Sequence, residues 1–386
     1  MNKRKLILNY IAILSLFVVS AAGTFENAAL STIMAAYPSI ASATIRLMVT
    51  LPSLMSTLAM LIAGKIVGNK ISYKAVTLFG SICIAAGGLL PFFYAPSWYF
   101  ILVCRAVLGI GAGCFSVRNA LLSRSVPVEK LASFIGIGSV LGSAVNAAAS
   151  PIVGSLVSIG WRYAFIMNGI ALIPMLLILF FIQEPKKTTA KKEKVKANKL
   201  PGKIWIYILI QFVATLVLYP LLSGMSSYMS EIGYSNATIA GYMLSVYTGS
   251  GVLVNLFLKR LLRTLKNHTF TVAFASTALG SALLLARINL IMIGAGVLLS
   301  GIGFMLLSAY MQVVTGTICD DTNVANGSTM ILAGTQAGVF LSSYFIEATA
   351  HLPVFDFELL NTYFACMVIY LILLIINIVF NKQLNN

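Results

Sequence analysis

The chain has 386 residues, of which 59% are hydrophobic and 9% charged, and its mean hydropathy is +0.94. Those values exclude a water-soluble domain, in which roughly a quarter of residues carry charge. The formal net charge of +16 points toward nucleic acid only until its distribution along the chain is read.

A membrane-spanning helix needs about 20 mostly apolar residues. Windows of that kind lie near residues 7–34, 44–67, 75–95, 97–119, 131–156, 161–182, 203–229, 236–258, 269–287, 289–316, 323–348 and 358–380. They predict an all-α membrane protein of about twelve spans. The short alternating segments of a closed barrel do not occur. The first window follows Lys3, Arg4 and Lys5, and Ser20-Ala21-Ala22 has the look of a secretory cleavage site. Its apolar run continues past residue 30, too far for a signal core, so it reads as a retained span.

Glu26 falls in the first window and Arg105 in the fourth, where a charge is costly and faces a partner or a water-filled path. On regular helices Glu26 would sit about 8 Å outward of the span's centre and Arg105 about 4–5 Å. The two heights are similar. A direct ion pair or one bridged by water fits, although the sequence does not bring the helices together. Three readings follow: a protonatable switch whose carboxyl titrates when the pair opens, a fixed pair locking two helices, or direct contact with substrate.

After the sixth window, residues 184–202 are Lys-rich and poor in apolar residues, and they read as a cytoplasmic linker between halves 1–183 and 203–386. The halves carry a faint repeat. Arg105-Ala-Val-Leu-Gly109-Ile-Gly111 matches Val297-Leu-Leu-Ser-Gly301-Ile-Gly303, and the same register sets Gly142 opposite Gly334. In it Arg105 corresponds to Val297 and Glu26 to Leu218, so intramembrane charge belongs to the first half. With both termini cytoplasmic, only Arg46, Arg162 and Arg287 of the 26 Lys and Arg fall outside, with Arg105 in the membrane. This is the positive-inside pattern, and it assigns the basic charge to lipid headgroups rather than nucleic acid.

Other polar groups within the windows are Asn27, Asn146, Gln211, Tyr219, Tyr310 and Gln336, which would orient a bound molecule or bond helix to helix. Pro52, Pro151, Pro174 and Pro220 predict kinks. Cys83, Cys104, Cys114, Cys319 and Cys366 show no paired spacing, so no metal, cofactor or disulfide frame is expected.

The run Arg105-Ala-Val-Leu-Gly109-Ile-Gly111-Ala-Gly113 resembles the fourth-helix motif of the major facilitator superfamily. Ser150-Pro151-Ile-Val-Gly154-Ser155, followed by Gly160-Trp161-Arg162-Tyr163-Ala-Phe165-Ile-Met-Asn168, resembles the passage from fifth to sixth helix in its bacterial drug exporters. The resemblance implies two pseudo-symmetric six-helix bundles around a central cavity, lined by helices 1, 4, 7 and 10, that opens to each side in turn. It also implies a role for Arg105 in proton transfer. Gly64-Lys-Ile-Val-Gly68-Asn-Lys70-Ile-Ser-Tyr-Lys74 keeps the basic residues of the family's loop after helix 2 but has Gly68 where an Asp is expected. Ser150-Pro151 and Gly154-Ser155 likewise stand where Gly-Pro and Gly-Gly are usual.

The expectation is thus a monomeric exporter of a small amphipathic compound, coupled to protons, in a bacterial plasma membrane. Uptake or facilitated diffusion of a metabolite is the alternative. Two other classes stay in view. Gly224-Met-Ser226-Ser227 has the Gly-x-Ser spacing of intramembrane serine proteases, but His268 and His351 lie at membrane edges, where neither could activate the Ser. A receptor built on a transporter fold would bind without turnover.

Overall fold

The computed structural model describes residues 3–19, 22–67, 71–184, 200–319 and 323–384. The chain divides into two compact units, Met1–Ala190 and Lys191–Asn386. The first contains α1 (Lys3–Val18), α2 (Leu30–Ala36), α3 (Ser42–Ile66), α4 (Tyr73–Phe93), α5 (Trp98–Cys114), α6 (Arg118–Ser125), α7 (Val128–Leu156) and α8 (Leu172–Phe181). The second contains α9 (Gly202–Glu231), α10 (Ala237–Leu265), α11 (Thr269–Ala286), α12 (Leu290–Ile318), α13 (Val324–Ala350) and α14 (Glu358–Leu384).

Among the described residues, eleven helices are long and apolar enough to cross a membrane. They coincide with the second to twelfth windows. The first window departs from expectation, because it is a broken helix. The α1 helix stops at Val18, Gly23 adopts φ +105°, a 3-10 helix runs Phe25–Ala29, and α2 completes the path. Positive φ is open to glycine because it has no Cβ to clash. A Cβ on Gly23 would also come within 3.1 Å of Leu108. The counterpart span of the second unit, α9, runs unbroken through Pro220.

The fourth span is longer than its window. Helix α5, a short 3-10 turn and α6 together make the span Trp98–Ser125. Arg118, at the inner edge of the window 97–119, lies well within this longer span. Prolines 52, 151 and 220 are inside helices. Pro174 instead falls in the first turn of α8, where its missing N–H leaves no gap.

Helix starts follow from side-chain caps. Ser72 accepts from the Ala75 N–H, Ser97 from Phe100, Asn236 from Thr238 and Asn289 from Met292. Glu184, the first residue of the proposed linker, is tied back to the bundle. Its carboxylate accepts from the N–H groups of Tyr73 (2.8 Å) and Lys74 (3.0 Å) at the start of α4. A carboxylate there satisfies two orphan donors and complements the helix dipole. Glu184→Ala is expected to destabilise the first unit by about 0.5–2 kcal/mol, read as a lower thermal midpoint of the purified chain.

The faint repeat is legible in the packing. A Cβ on Gly109 would meet the Pro52 carbonyl of α3 at 2.5 Å, and one on Gly111 the Gly80 carbonyl of α4 at 2.5 Å. In the second unit Gly301 faces Ser250 and Tyr247 of α10, while Gly303 faces Ala273 and Thr277 of α11. In each unit one glycine-bearing helix is wedged between the same two counterparts.

Candidate functional site

Three interruptions of regular helix build the site. The break in the first span frees the Gly23 carbonyl. Pro52 has no N–H to bond the Met48 carbonyl four residues earlier, so that carbonyl is free as well. The Arg105 guanidinium collects both: its Nε donates to Met48 O (2.8 Å) and its Nη2 to Gly23 O (2.8 Å). The third interruption is the 3-10 helix Trp161–Ala171, which carries Asn168.

Glu26 completes the cluster. Its Oε1 accepts from Arg105 Nη1 (2.7 Å) and its Oε2 from Arg105 Nη2 (3.1 Å), a bidentate pair. Asn168 Nδ2 also donates to Oε1 (2.7 Å), and lies 3.1 Å from Phe165 O. Glu26, Arg105 and Asn168 are each 0% exposed. Planar charge-assisted pairs of this kind are strong and directional. Removing both ions from water is costly, and the surrounding carbonyls and amide offset that only while the geometry holds. The cluster joins the first, second, fourth and sixth spans at one level.

The direct pair is thus the arrangement formed. All three polar partners of Glu26 come from the protein, so the carboxylate does not present itself to a ligand here. Asn168 was quoted in the sequence only as the end of a motif. An amide within an apolar window was the one signal of its part.

The softer candidates divide between the units. Asn27, beside Glu26, does not join the carboxylate, and its buried Oδ1 has no partner among the described residues. Asn146 on α7 accepts from the Thr24 hydroxyl of the broken segment at 3.4 Å. In the second unit Gln211 Nε2 reaches Ser308 of α12 at 3.3 Å, and its buried Oε1 has no partner among the described residues. Tyr219 is buried on α9. The Tyr310 ring lies 4.9 Å from that of Phe270, and Gln336 is half-buried on α13.

Among the motif residues, Gly109, Gly111 and Gly113 form the close helix contacts. A Cβ on Gly113 would strike the Ser56 carbonyl. Nothing lies within 4 Å of one on Gly64. Pro151 is half-buried and Gly154 buried in α7. Lys74 is held through its N–H by Glu184. Gly68 and Lys70 lie outside the described residues.

Long apolar helices in two units, with an acid and a base sealed inside one of them, define a multi-pass membrane protein. The family model described as Major Facilitator Superfamily matches residues 12–343, and the chain belongs to that superfamily of transporters. Its family is one of transporters and not of enzymes. A stretch of 134 residues is 33% identical to the MFS-type efflux pump MFS1 of Arthroderma benhamiae, covering 33% of this chain and 23% of that protein. Another, of 155 residues, is 32% identical to the multidrug resistance protein MdtG of Enterobacter lignolyticus, covering 37% of this chain and 36% of that one. Both matches span well under half of the relative's length. Among solved structures, a mutant of the nucleoside transporter NupG superposes with TM-score 0.80 at 11% identity, over 99% of this chain and 100% of that one. A POT family transporter in complex with 5-aminolevulinic acid gives 0.79 at 13% identity, over 99% and 97%. These likenesses show the fold.

Proposed function

We propose that the chain exports small amphipathic organic compounds by alternating access, driven by protons that enter through Glu26. The observation that carries this reading is a carboxylate within the first apolar window, fully buried on a broken span and held by one guanidinium and one amide. Arg105 holds the carboxylate in a bidentate pair. Movement of the broken segment that draws it from the guanidinium leaves a buried carboxyl, which takes a proton. The break at Gly23 supplies the place to move. A change of protonation then becomes a change in how tightly the first span is held to the second, fourth and sixth.

Efflux rather than uptake is supported by the relatives in Arthroderma and Enterobacter, an efflux pump and a multidrug resistance protein. The basic loops favour a bacterial inner membrane with both termini cytoplasmic, anionic lipid at the inner face, and a monomer of halves 1–183 and 203–386 joined by 184–202. Asn27, Asn146, Gln211, Tyr219, Tyr310 and Gln336 are the polar groups assigned to cargo.

The test is transport by the purified full chain in vesicles with an imposed pH gradient, using ethidium and naphthalenesulfonate as cationic and anionic amphipathic probes. One probe at least is expected to accumulate against its own gradient, beyond protein-free vesicles, and to run down when a protonophore is added. Equilibration that ignores the pH gradient would instead make the protein a facilitated-diffusion permease.

A further inference from the structure

The fourth span carries a second cation. Arg118 stands thirteen residues beyond Arg105, and the span Trp98–Ser125 is centred near residues 111 and 112. At 1.5 Å per residue Arg118 is roughly 10 Å from that midpoint, inside the hydrocarbon half-thickness of about 15 Å. Unlike Arg105, it meets no carboxylate among the described residues. Among the described residues no acid forms an ion pair with it, and its Nε is buried with no hydrogen-bond partner. Its guanidinium carbon lies 4.5 Å from the centroid of the Phe17 ring. Phe17 is itself buried against α7, where a Cβ on Gly138 would come within 2.7 Å of the ring. Its Nε is sealed, while the residue as a whole keeps partial exposure.

A cation at this depth normally finds an acid, a carbonyl or water. Two chemically alike arginines on one span are treated oppositely here. Arg105 has three acceptor groups, while among the described residues Arg118 meets an aromatic face and no acceptor. A ring face attracts a cation but satisfies none of its N–H groups. What the site lacks is a planar oxyanion, the partner a guanidinium fork fits best. The ring beside it supplies an apolar wall.

We infer that Arg118 and Phe17 recognise the anionic end of the cargo, which makes the cargo an amphipathic organic acid: a carboxylate, sulfonate or phosphate ester with an apolar body. The inference deepens the export reading and names its substrate class. The same chemistry exists in an anionic lipid headgroup, and the experiment separates the two.

Thermal unfolding of the purified full chain would be followed with naphthalenesulfonate, with naphthylmethylammonium as its cationic counterpart, and with phosphatidylglycerol added to neutral-lipid discs. Naphthalenesulfonate is expected to raise the midpoint of the wild type while the cation does not. In Arg118→Gln its affinity falls by at least about tenfold, and Arg118→Lys, which keeps the charge without the fork, retains part of it. Arg118→Gln is also expected to unfold at the same or a higher temperature than wild type without ligand, since it removes an unpaired buried charge. A residue kept only to brace Phe17 would give the opposite shift. Equal stabilisation of wild type and Arg118→Gln, preference for the cation, or no response to naphthalenesulfonate would each overturn the inference. Arg118-dependent stabilisation by phosphatidylglycerol alone would reassign the site to lipid. Binding is read without a gradient, so failure of proton-driven transport would sink the export reading and leave this one standing.

Discussion

Glu26→Gln is expected to abolish accumulation driven by a pH gradient and to lower the stability of the first unit by about 3–5 kcal/mol. The stability loss follows from the geometry. Gln offers one carbonyl oxygen where the carboxylate accepts three donors at 2.7, 2.7 and 3.1 Å, and Arg105 is left charged at 0% exposure with no counter-charge. Arg105→Gln would cost a similar amount, since it strands Glu26 and the carbonyls of Met48 and Gly23. The double variant is expected to lose less than the two single losses combined, because the residues share one network.

Stability alone does not separate a lock from a switch. Exchange does. A carrier whose proton site is neutral all the time still swaps cargo for cargo across the membrane when no net proton movement is needed. Folded Glu26→Gln protein, kept cold if necessary, is expected to exchange labelled for unlabelled probe while failing to accumulate it. Accumulation at the wild-type level in that variant would make Glu26 a structural tie and remove protons from the mechanism at this site.

The sequence made the cost of Glu26 and Arg105 visible because apolar windows leave few places for charge. Their similar height also followed from helix rise, although the rise assumed for Glu26 belongs to a regular helix that the break interrupts. That break was not legible. Hydropathy averages over the window 7–34, and Gly23-Thr24 barely lowers it. Nor was the role of Pro52 evident, since its effect is to free a carbonyl that matters only when a guanidinium from another span arrives. The extent of the helix around Arg118 was hidden for a related reason. A charge at the edge of a window reads as loop, whereas the helix continues to Ser125. Helix α10 makes the same point, running to Leu265 past Lys259, Arg260 and Arg263, seven residues beyond its apolar window. Hydropathy reports where apolar residues run, and hydrogen bonding continues a helix past the end of that run.

The glycines grouped by motif separate by what surrounds them, and Gly113→Ala against Gly64→Ala is the sharpest contrast. A Cβ on Gly113 would strike the Ser56 carbonyl and lie 2.7 Å from the Ala59 Cβ and 3.0 Å from the Met60 N, all on α3. Two of those three atoms are backbone, which cannot rotate away, so the helices must part. Overpacking of this kind costs about 1–3 kcal/mol for one methyl, and Gly113→Leu is expected to prevent stable assembly of the first unit. At Gly64 nothing stands within 4 Å, and alanine is the better helix former by about 1 kcal/mol. Gly64→Ala should therefore be neutral or slightly stabilising. Buried Cys114, adjacent to Gly113, gives an internal readout. In Gly113→Ala it should react with a thiol-directed dye at a lower temperature than in wild type, with Gly64→Ala unchanged. A Gly113→Ala protein whose thiols react at the wild-type temperature would mean that α3 and α5 do not approach as closely as these contacts require. The bed on which Arg105 meets the Met48 carbonyl would then have to be redrawn, because the same two helices set that distance.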